Sequence, residues 1–484
     1  MKARLASLLV LALFVTPLAV GAQNIPVPTP APTVAPKMTP LPYPAYGPQA
    51  PDVELLIPHK GVPPHVSVEQ AIAIAVAIAP TFVSERAAYS EIRAAYGEAK
   101  QKVFPTISAS GTWQQNTSVQ VAPGCYDPTT CGRRKYTITD ENGSYTISQL
   151  IFDGGAVITA IKEAKETDIA GRYTLLYQLD TLAYDVANAY YTVLEDKALV
   201  DADEQLVREF EVEENAVRAE IRNGTSALSA LAQQEYETAE ARGELVTAQG
   251  NAISAQATFA TMLGFDANAQ IVPEPLGRDE YTATPTYAKS LEQALLLRPD
   301  YLSAQHTVMS DRDALRYAEL ARVPTITGTF TGETSREFPP VAAPFGSNGY
   351  WTPSETLGAS ISLPIYDQGT IWYNIEAAKY NLQEAQANLA STKLTVESDV
   401  RSALAQLFSA RASFVEDQKG LSAAQVSMQA AQASYKVGVD TILDLVTAEA
   451  NLAAAQSTYV TALYGVRVAE QNYLYQLGVS DLRL

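Results

Sequence analysis

The side chains that could carry chemistry in this 484-residue sequence are few. Its two cysteines stand close together, in Cys125-Tyr126-Asp127-Pro128-Thr129-Thr130-Cys131. In an oxidising compartment such a pair, with a proline turn between, closes a small disulfide loop. Metal binding by two thiolates alone is the weaker alternative. The histidines His59, His65 and His306 form no ligand-spaced cluster. There is no Gly-x-Ser-x-Gly elbow, no phosphate-binding glycine loop followed by lysine, and no histidine beside a candidate nucleophile. The five methionines, Met1 included, do not gather with histidine into a copper relay. These residues point away from an enzyme and from any bound cofactor.

Charge and targeting narrow the class further. Lys2 and Arg4 precede an apolar stretch over residues 5–20, and Val20-Gly21-Ala22 before Gln23 is a small-residue cleavage site. Residues 1–22 therefore read as a secretory signal peptide, with an uncleaved anchor helix as the alternative. No cysteine follows the site, so no N-terminal lipid is expected. The formal charge of −19 becomes −21 without Lys2 and Arg4. A surface so acidic disfavours nucleic acid and anionic lipid as partners. No other apolar run reaches the ~20 residues that a membrane helix needs. The expectation is an exported chain without a helical span.

The elements that organise the chain are long and repeated. Residues 154–223 contain no proline and one interior glycine, Gly171, and are dominated by Ala, Leu, Glu, Lys, Gln and Arg. Those residue types lose least on entering a helix. One continuous helix here would be roughly 105 Å long, a length that implies a coiled coil, a repeat or a long bundle. A shift of 214 residues lays Ile151-Phe152-Asp153-Gly154-Gly155 on Ile365-Tyr366-Asp367-Gln368-Gly369. The same shift lays Gly224 on Gly438 and Leu263-Gly264-Phe265 on Leu477-Gly478-Val479. This is an internal duplication.

Each repeat reads as helix, strand, strand, very long helix, turn, helix. Residues 23–64 are Pro-rich and favour an extended linker. Ser67-Val68-Glu69-Gln70 opens a helix with a capping-box pattern, expected to run to about Val103 despite Pro80. After Phe104-Pro105 the period changes to 2. Thr106, Ser108, Ser110 and Thr112 alternate with Ile107, Ala109, Gly111 and Trp113. Ser144, Thr146 and Ser148 alternate with Tyr145, Ile147 and Gln149. Asp153 is the expected N-cap of the long helix, Gly224 its left-handed turn residue, and residues 226–263 the returning helix. The second half repeats the plan with strands around Thr325–Thr331 and Thr356–Ile365, a helix over 369–437, a turn at Gly438 and a return over 440–477.

The four strands share one pattern, with one face aliphatic or aromatic and the other Ser and Thr. A soluble half-buried strand would carry Lys, Glu and Arg on its polar face. Small hydroxyl residues beside an aliphatic face fit a membrane barrel with lipid outside and water within. Each strand has about the ~9–11 residues that a tilted span requires. Four strands cannot close a barrel, and open edges are not tolerated in lipid, so the barrel must be shared between subunits. Helices over 67–103 and 226–263, 37 and 38 residues long, would stack end to end beside one 70-residue helix. The expected result is a tunnel attached to a pore.

At this point the sequence resembles the TolC family of outer-membrane efflux proteins, over about residues 67–479. Leu297-Arg298-Pro299-Asp300-Tyr301 is similar to the family's Arg-Pro-Asp-Leu signature, and Val323-Pro324-Thr325-Ile326 to the start of its strand. Tyr435-Lys436-Val437-Gly438-Val439, followed by Ile442-Leu443-Asp444-Leu445, resembles its hairpin. The resemblance implies a mostly α, mixed α/β membrane protein: a homotrimer with a twelve-stranded outer-membrane β-barrel continuous with a twelve-helix periplasmic tunnel. It divides the chain into signal peptide (1–22), Pro-rich periplasmic linker (23–66), first repeat (67–265), inter-repeat linker (266–289) and second repeat (290–484). Outer-membrane lipid, a periplasmic adaptor protein and an inner-membrane transporter of the RND, ABC or MFS type are the implied partners. No nucleic acid and no cofactor are among them.

Site residues follow from the same resemblance. Asp444 falls on the family's constriction aspartate, and Asp440, one turn earlier, stands where relatives can carry arginine. The next acidic position is Thr447 here, and the first-repeat counterpart of Asp444 is Ala230. Rings of three carboxylates would repel one another and attract cations; the alternative for Asp440 is a solvated N-cap. Tyr435 would tie adjacent hairpins together or simply pack between helices. Gly224, Thr225, Val437, Gly438 and Val439 match the adaptor-docking grooves and are also turn residues. The implied function is a passive exit duct for drugs and small molecules, with type I protein secretion as the alternative. A periplasmic coiled-coil structural protein without a pore is the rival of another class, and it leaves the strand pattern unexplained.

Overall fold

The computed structural model describes residues 65–121, 133–224, 226–275, 285–338 and 350–479. The signal sequence, the Pro-rich segment, Cys125, Cys131, His59 and Thr225 lie outside the described residues. The elements in order are β1 (His65–Val66), α1 (Val68–Ile78), α2 (Pro80–Gln101), β2 (Thr106–Val121), β3 (Arg133–Phe152), α3 (Ala156–Arg222) and α4 (Leu228–Met262). Then follow β4 (Val272–Pro273), α5 (Tyr287–Leu297), α6 (Pro299–Leu320), β5 (Thr325–Phe338), β6 (Thr352–Ser362), α7 (Thr370–Lys436) and α8 (Ile442–Gln476). The duplication holds to the residue: α3 and α7 each have 67 residues, and α4 and α8 each have 35.

Both long helices start the same way. Asp153 accepts from the backbone N–H of Gly155 (2.8 Å) and Val157 (2.6 Å). Asp367 does the same for Gly369 (3.1 Å) and Ile371 (2.5 Å). The N-cap itself is the left-handed glycine, Gly155 (φ 93) and Gly369 (φ 87), and not Asp153 as expected; the carboxylate two residues earlier satisfies orphan donors and faces the positive end of the helix dipole.

The helix expected over 67–103 is not continuous. Pro80 cannot donate to the preceding turn and disfavours helical backbone at Ala79, which takes φ −60, ψ 122. The chain bends by 54° there, and α2 restarts with Pro80 in its first turn. Arg298, before Pro299, does the same at φ −63, ψ 120. The short helices α1 and α5 therefore turn off the tunnel direction and pack on α3 and α7 respectively.

End-to-end stacking survives in a modified form. The last turn of α4 meets the α1–α2 break, where a Cβ on Gly264 would lie 3.0 Å from the Ile78 carbonyl oxygen. The last turn of α8 meets the α5–α6 break, where a Cβ on Gly478 would lie 2.8 Å from the Arg298 nitrogen. Both glycines have positive φ, +86 and +73. Alanine at either position is expected to cost about 2–4 kcal/mol, from left-handed strain plus a backbone clash with little room to relax. Thermal unfolding of each variant checks this; an unchanged midpoint would mean that the two stacks do not abut.

With α2 on α4 and α6 on α8, the helices form four columns. Packing runs from α2/α4 to α3, from α3 to α6/α8, and from there to α7. The strands follow in the matching order β2-β3-β5-β6, all antiparallel. A four-column, four-strand sector results, with both of its edges unpaired within one chain. The main apolar core gathers where α1, α3, the end of α4 and α8 meet, around Ile72, Val186, Phe259, Leu263 and Ile271. A second cluster joins α5, α7 and α8, and a third, around Leu206, Val207, Phe210 and Ala241, lies lower on α3 and α4.

Candidate pore and gate

The sheet sorts its side chains by face. Its register places Ile107 opposite Ile147, Ile147 opposite Phe330, and Phe330 opposite Leu357. Tyr145 stacks at a tilt on Phe330 and covers Gly332. On this face Ile107, Leu357 and Ile361 stay open to solvent, with Leu357 83% and Ile361 72% exposed, while Ile147 and Phe330 between them are half-buried by their neighbours. On the other face Ser110 pairs with Ser144 at 2.8 Å and Thr146 with Thr331 at 3.4 Å.

The apolar band has two edges. At the helix end lie the exposed aromatics Phe104, Phe152, Tyr366, Trp372 and Tyr373. At the far end, level with Trp113, the Arg336–Glu141 ion pair (2.6 Å) crosses the apolar face, with Arg336 over the Trp351 ring. From Phe104 to Trp113 the strand rises ~3.3 Å per residue, giving a band of about 25 Å once tilted. An exposed apolar surface of that height, bounded by aromatic residues, is the signature of a membrane-spanning barrel wall. Among the described residues no single helix is long and apolar enough to cross a membrane. Three strands exceed the ~9–11 residues required, β2, β3 and β5 with 16, 20 and 14, and their far ends project past the band; β6, with 11, only spans it.

The opposite end of the molecule is the pair of hairpin tips. Gly224 and Gly438 share φ +76 and turn the chain into α4 and α8. Val437 and Val439 stand 75% and 76% exposed beside the second turn. The N-cap of α8 is Thr441, not Asp440. Thr441 and Asp444 form a capping box, with the Thr441 N–H and hydroxyl both donating to Asp444 Oδ2 at 2.9 and 2.7 Å. Those hydrogen bonds hold the exposed Asp444 carboxyl below its ordinary range. Asp440 sits in the turn, its N–H directed at the Ser434 carbonyl. The Tyr435 hydroxyl donates to Glu220 at 3.0 Å and so links α7 to the end of α3. Burial and that acceptor push the Tyr435 hydroxyl up to about 12.

The family model for outer membrane efflux proteins matches residues 72–265 and 290–478, one match per repeat. This chain belongs to that family. The outer-membrane efflux protein BepC of Brucella suis is 25% identical over 322 residues, covering 64% of this chain and 68% of BepC. The probable efflux pump outer membrane protein TtgC of Pseudomonas putida is 25% identical over 292 residues, 59% of this chain and 57% of TtgC. The crystal structure of the CmeC outer membrane channel of Campylobacter jejuni superposes with a TM-score of 0.72 at 16% identity, covering 85% of each chain. The chain is thus an outer membrane efflux protein with the fold of solved outer-membrane channels.

Two features of this efflux protein do not stand out in its sequence. Arg298, 4% exposed, binds Asp300, Asp399 and Gln476 and joins α6, α7 and α8. The family-like signature drew attention to Arg298, but its partners lie about 100 and 180 residues away. Glu449 is buried near the tips at 6% exposure. Its place could have been read from the spacing Leu445, Glu449, Ala453, a carboxylate in an otherwise apolar or small stripe.

Proposed function

We propose that this efflux protein is the outer-membrane exit duct of a tripartite pump, passing drugs and other small molecules. The observation that carries the reading is the open four-by-four sector. Three copies, edge to edge, give a twelve-stranded wall over a twelve-column tunnel and remove every open sheet edge, as lipid requires. The sequence carries no phosphate-binding glycine loop followed by lysine, and in this reading the energy comes from an inner-membrane transporter through a periplasmic adaptor. The adaptor docks on the hairpin tips at Gly224, Thr225, Val437, Gly438 and Val439, a reading supported by the exposure of Val437 and Val439 beside the second turn. Pseudomonas putida relatives at 25% identity bear the names antibiotic efflux pump and toluene efflux pump outer membrane protein, which supports small molecules over secreted proteins as cargo.

Asp440 and Asp444 line the constriction in this reading. Three copies bring six carboxylates to the axis, where mutual repulsion favours bound cations. Replacing Asp444 with alanine should weaken block by divalent cations in single-channel recordings, and replacing both should weaken it further. Unchanged block in the double variant would remove both residues from the pore.

Cells lacking the gene test the function itself. They should retain a fluorescent dye that cells with the gene restored expel. Normal dye handling together with a missing secreted protein would favour type I secretion.

A further inference from the structure

The lower part of the tunnel contains a buried carboxylate that the duct reading leaves unused. On α8, Leu445 is fully buried, Glu449 follows one turn later, and Ala453 one turn after that packs against Leu206, Val207, Phe210 and Ala241 of α3 and α4. Glu449 thus occupies a knob position where α8 lies against the first hairpin. Its Oε2 is buried without a hydrogen-bond partner. The charged groups that act on it are acidic: Glu213 and Glu209 from α3 and Glu237 from α4. The third neighbouring helix, α7, has no titratable side chain between Lys419 and Tyr435. Lys436 acts on Glu213, itself beside Glu220. Buried Gln234, on the α4 stripe with Ala230 and Thr238, also has both amide atoms unsatisfied. Among the described residues no Lys, Arg or His forms an ion pair with Glu449. A charged carboxylate in such a seam is costly, and a neutral one is tolerated.

We infer that Glu449 is a proton-operated latch between the two helical hairpins of each subunit, holding α8 against α3 and α4 when neutral and loosening it when ionised. Burial, with the repulsion of Glu213, Glu209 and Glu237, pushes the Glu449 carboxyl from 4.5 up to about 7. The sign follows: below about pH 4.5 the group is neutral whether packed or free, and the seam is strongest. As pH rises from there through about 7, the free group ionises first and the seam weakens; above about 7 the loss is complete. Glu213 reinforces the effect, since burial raises its carboxyl too. As a device acting on opening, the latch rests on the reading of the chain as a duct narrowed at its hairpin tips.

Hydrogen exchange on the detergent-solubilised full-length protein tests the latch, with wild type and Glu449→Gln compared at equal pH so that intrinsic exchange chemistry cancels. At about pH 8, amides of residues 442–456 should exchange at least ~10-fold more slowly in E449Q, because a packed neutral amide replaces an ionised carboxylate. At about pH 4.5 the two proteins should agree within ~2-fold. Glu449→Leu, which also removes the charge, should behave as E449Q does. Equal exchange of wild type and both variants at the higher pH would overturn the latch. Conductance recorded on the same samples separates the two ideas: the exchange difference without any channel current leaves the latch standing and removes the duct.

Discussion

Replacing Arg298 with leucine should destabilise the efflux protein by about 3 kcal/mol and lower its thermal unfolding midpoint. That is the low end of the range for breaking a buried ion pair. The low end applies because Asp300 and Asp399 keep 21% and 34% of their side-chain exposure, whereas Arg298 keeps 5%. The guanidinium makes four hydrogen bonds, two to Asp300 (2.7 and 3.1 Å), one to Asp399 (3.1 Å) and one to Gln476 (2.9 Å). It therefore pins the α5–α6 break to the end of α8 and the middle of α7. Arg298→Lys should recover only part of the loss, since an ammonium keeps the charge but not the fork geometry. The first repeat has Ala79 at the same break, fully packed and without an ion pair. If R298L melted like wild type, the second break would be held by packing alone, as the first one is.

The second large effect separates the two faces of the sheet. Phe330 lies between Ile147 and Leu357 on the apolar face, in the middle of the band. Lysine there should cost about 2–4 kcal/mol in the membrane and sharply reduce the yield of assembled protein in the outer membrane. Its neighbour Thr329 lies between Ser148 and Gly358 on the hydroxyl face. Lysine at Thr329 should leave assembly near the wild-type level and reduce cation conductance by adding positive charge to the lumen. Heat-modifiable migration of membrane-extracted protein reads the first effect and bilayer recording the second. Equal losses of assembly in F330K and T329K would mean that the faces are not lipid and water.

The parts legible in the sequence were those set by local period. Helix-forming residues without proline foretold α3 and α7, and the alternation of Ile107 or Tyr145 with Ser and Thr foretold the membrane strands. The strands run further at their far ends than expected for a related reason, although β6 stops at Ser362 and not at Ile365 at its helix end. Beyond Trp113 both faces turn polar, as in Gln114-Gln115-Asn116-Thr117, so the hydrophobic alternation disappears while the ladder to Thr137–Asp140 continues. Pro80 was visible, but a proline in a long helical pattern can kink a helix or end it, and the packing of α1 on α3 decides for ending. At the second tip Asp440 and Thr441 are both good caps in isolation; the reciprocal bond with Asp444 selects Thr441. Glu449 needed three helices at once. One helix shows a charge in an apolar stripe, and only the approach of Glu209, Glu213 and Glu237 reveals that it lacks a counter-ion.

The most direct measurement is the current through a planar lipid bilayer after addition of the purified full-length protein. The account predicts discrete conductance steps, selective for cations, that vanish in favour of no insertion for F330K. Protein that inserts into the bilayer as an assembled oligomer yet passes no current at any voltage or pH would contradict the duct.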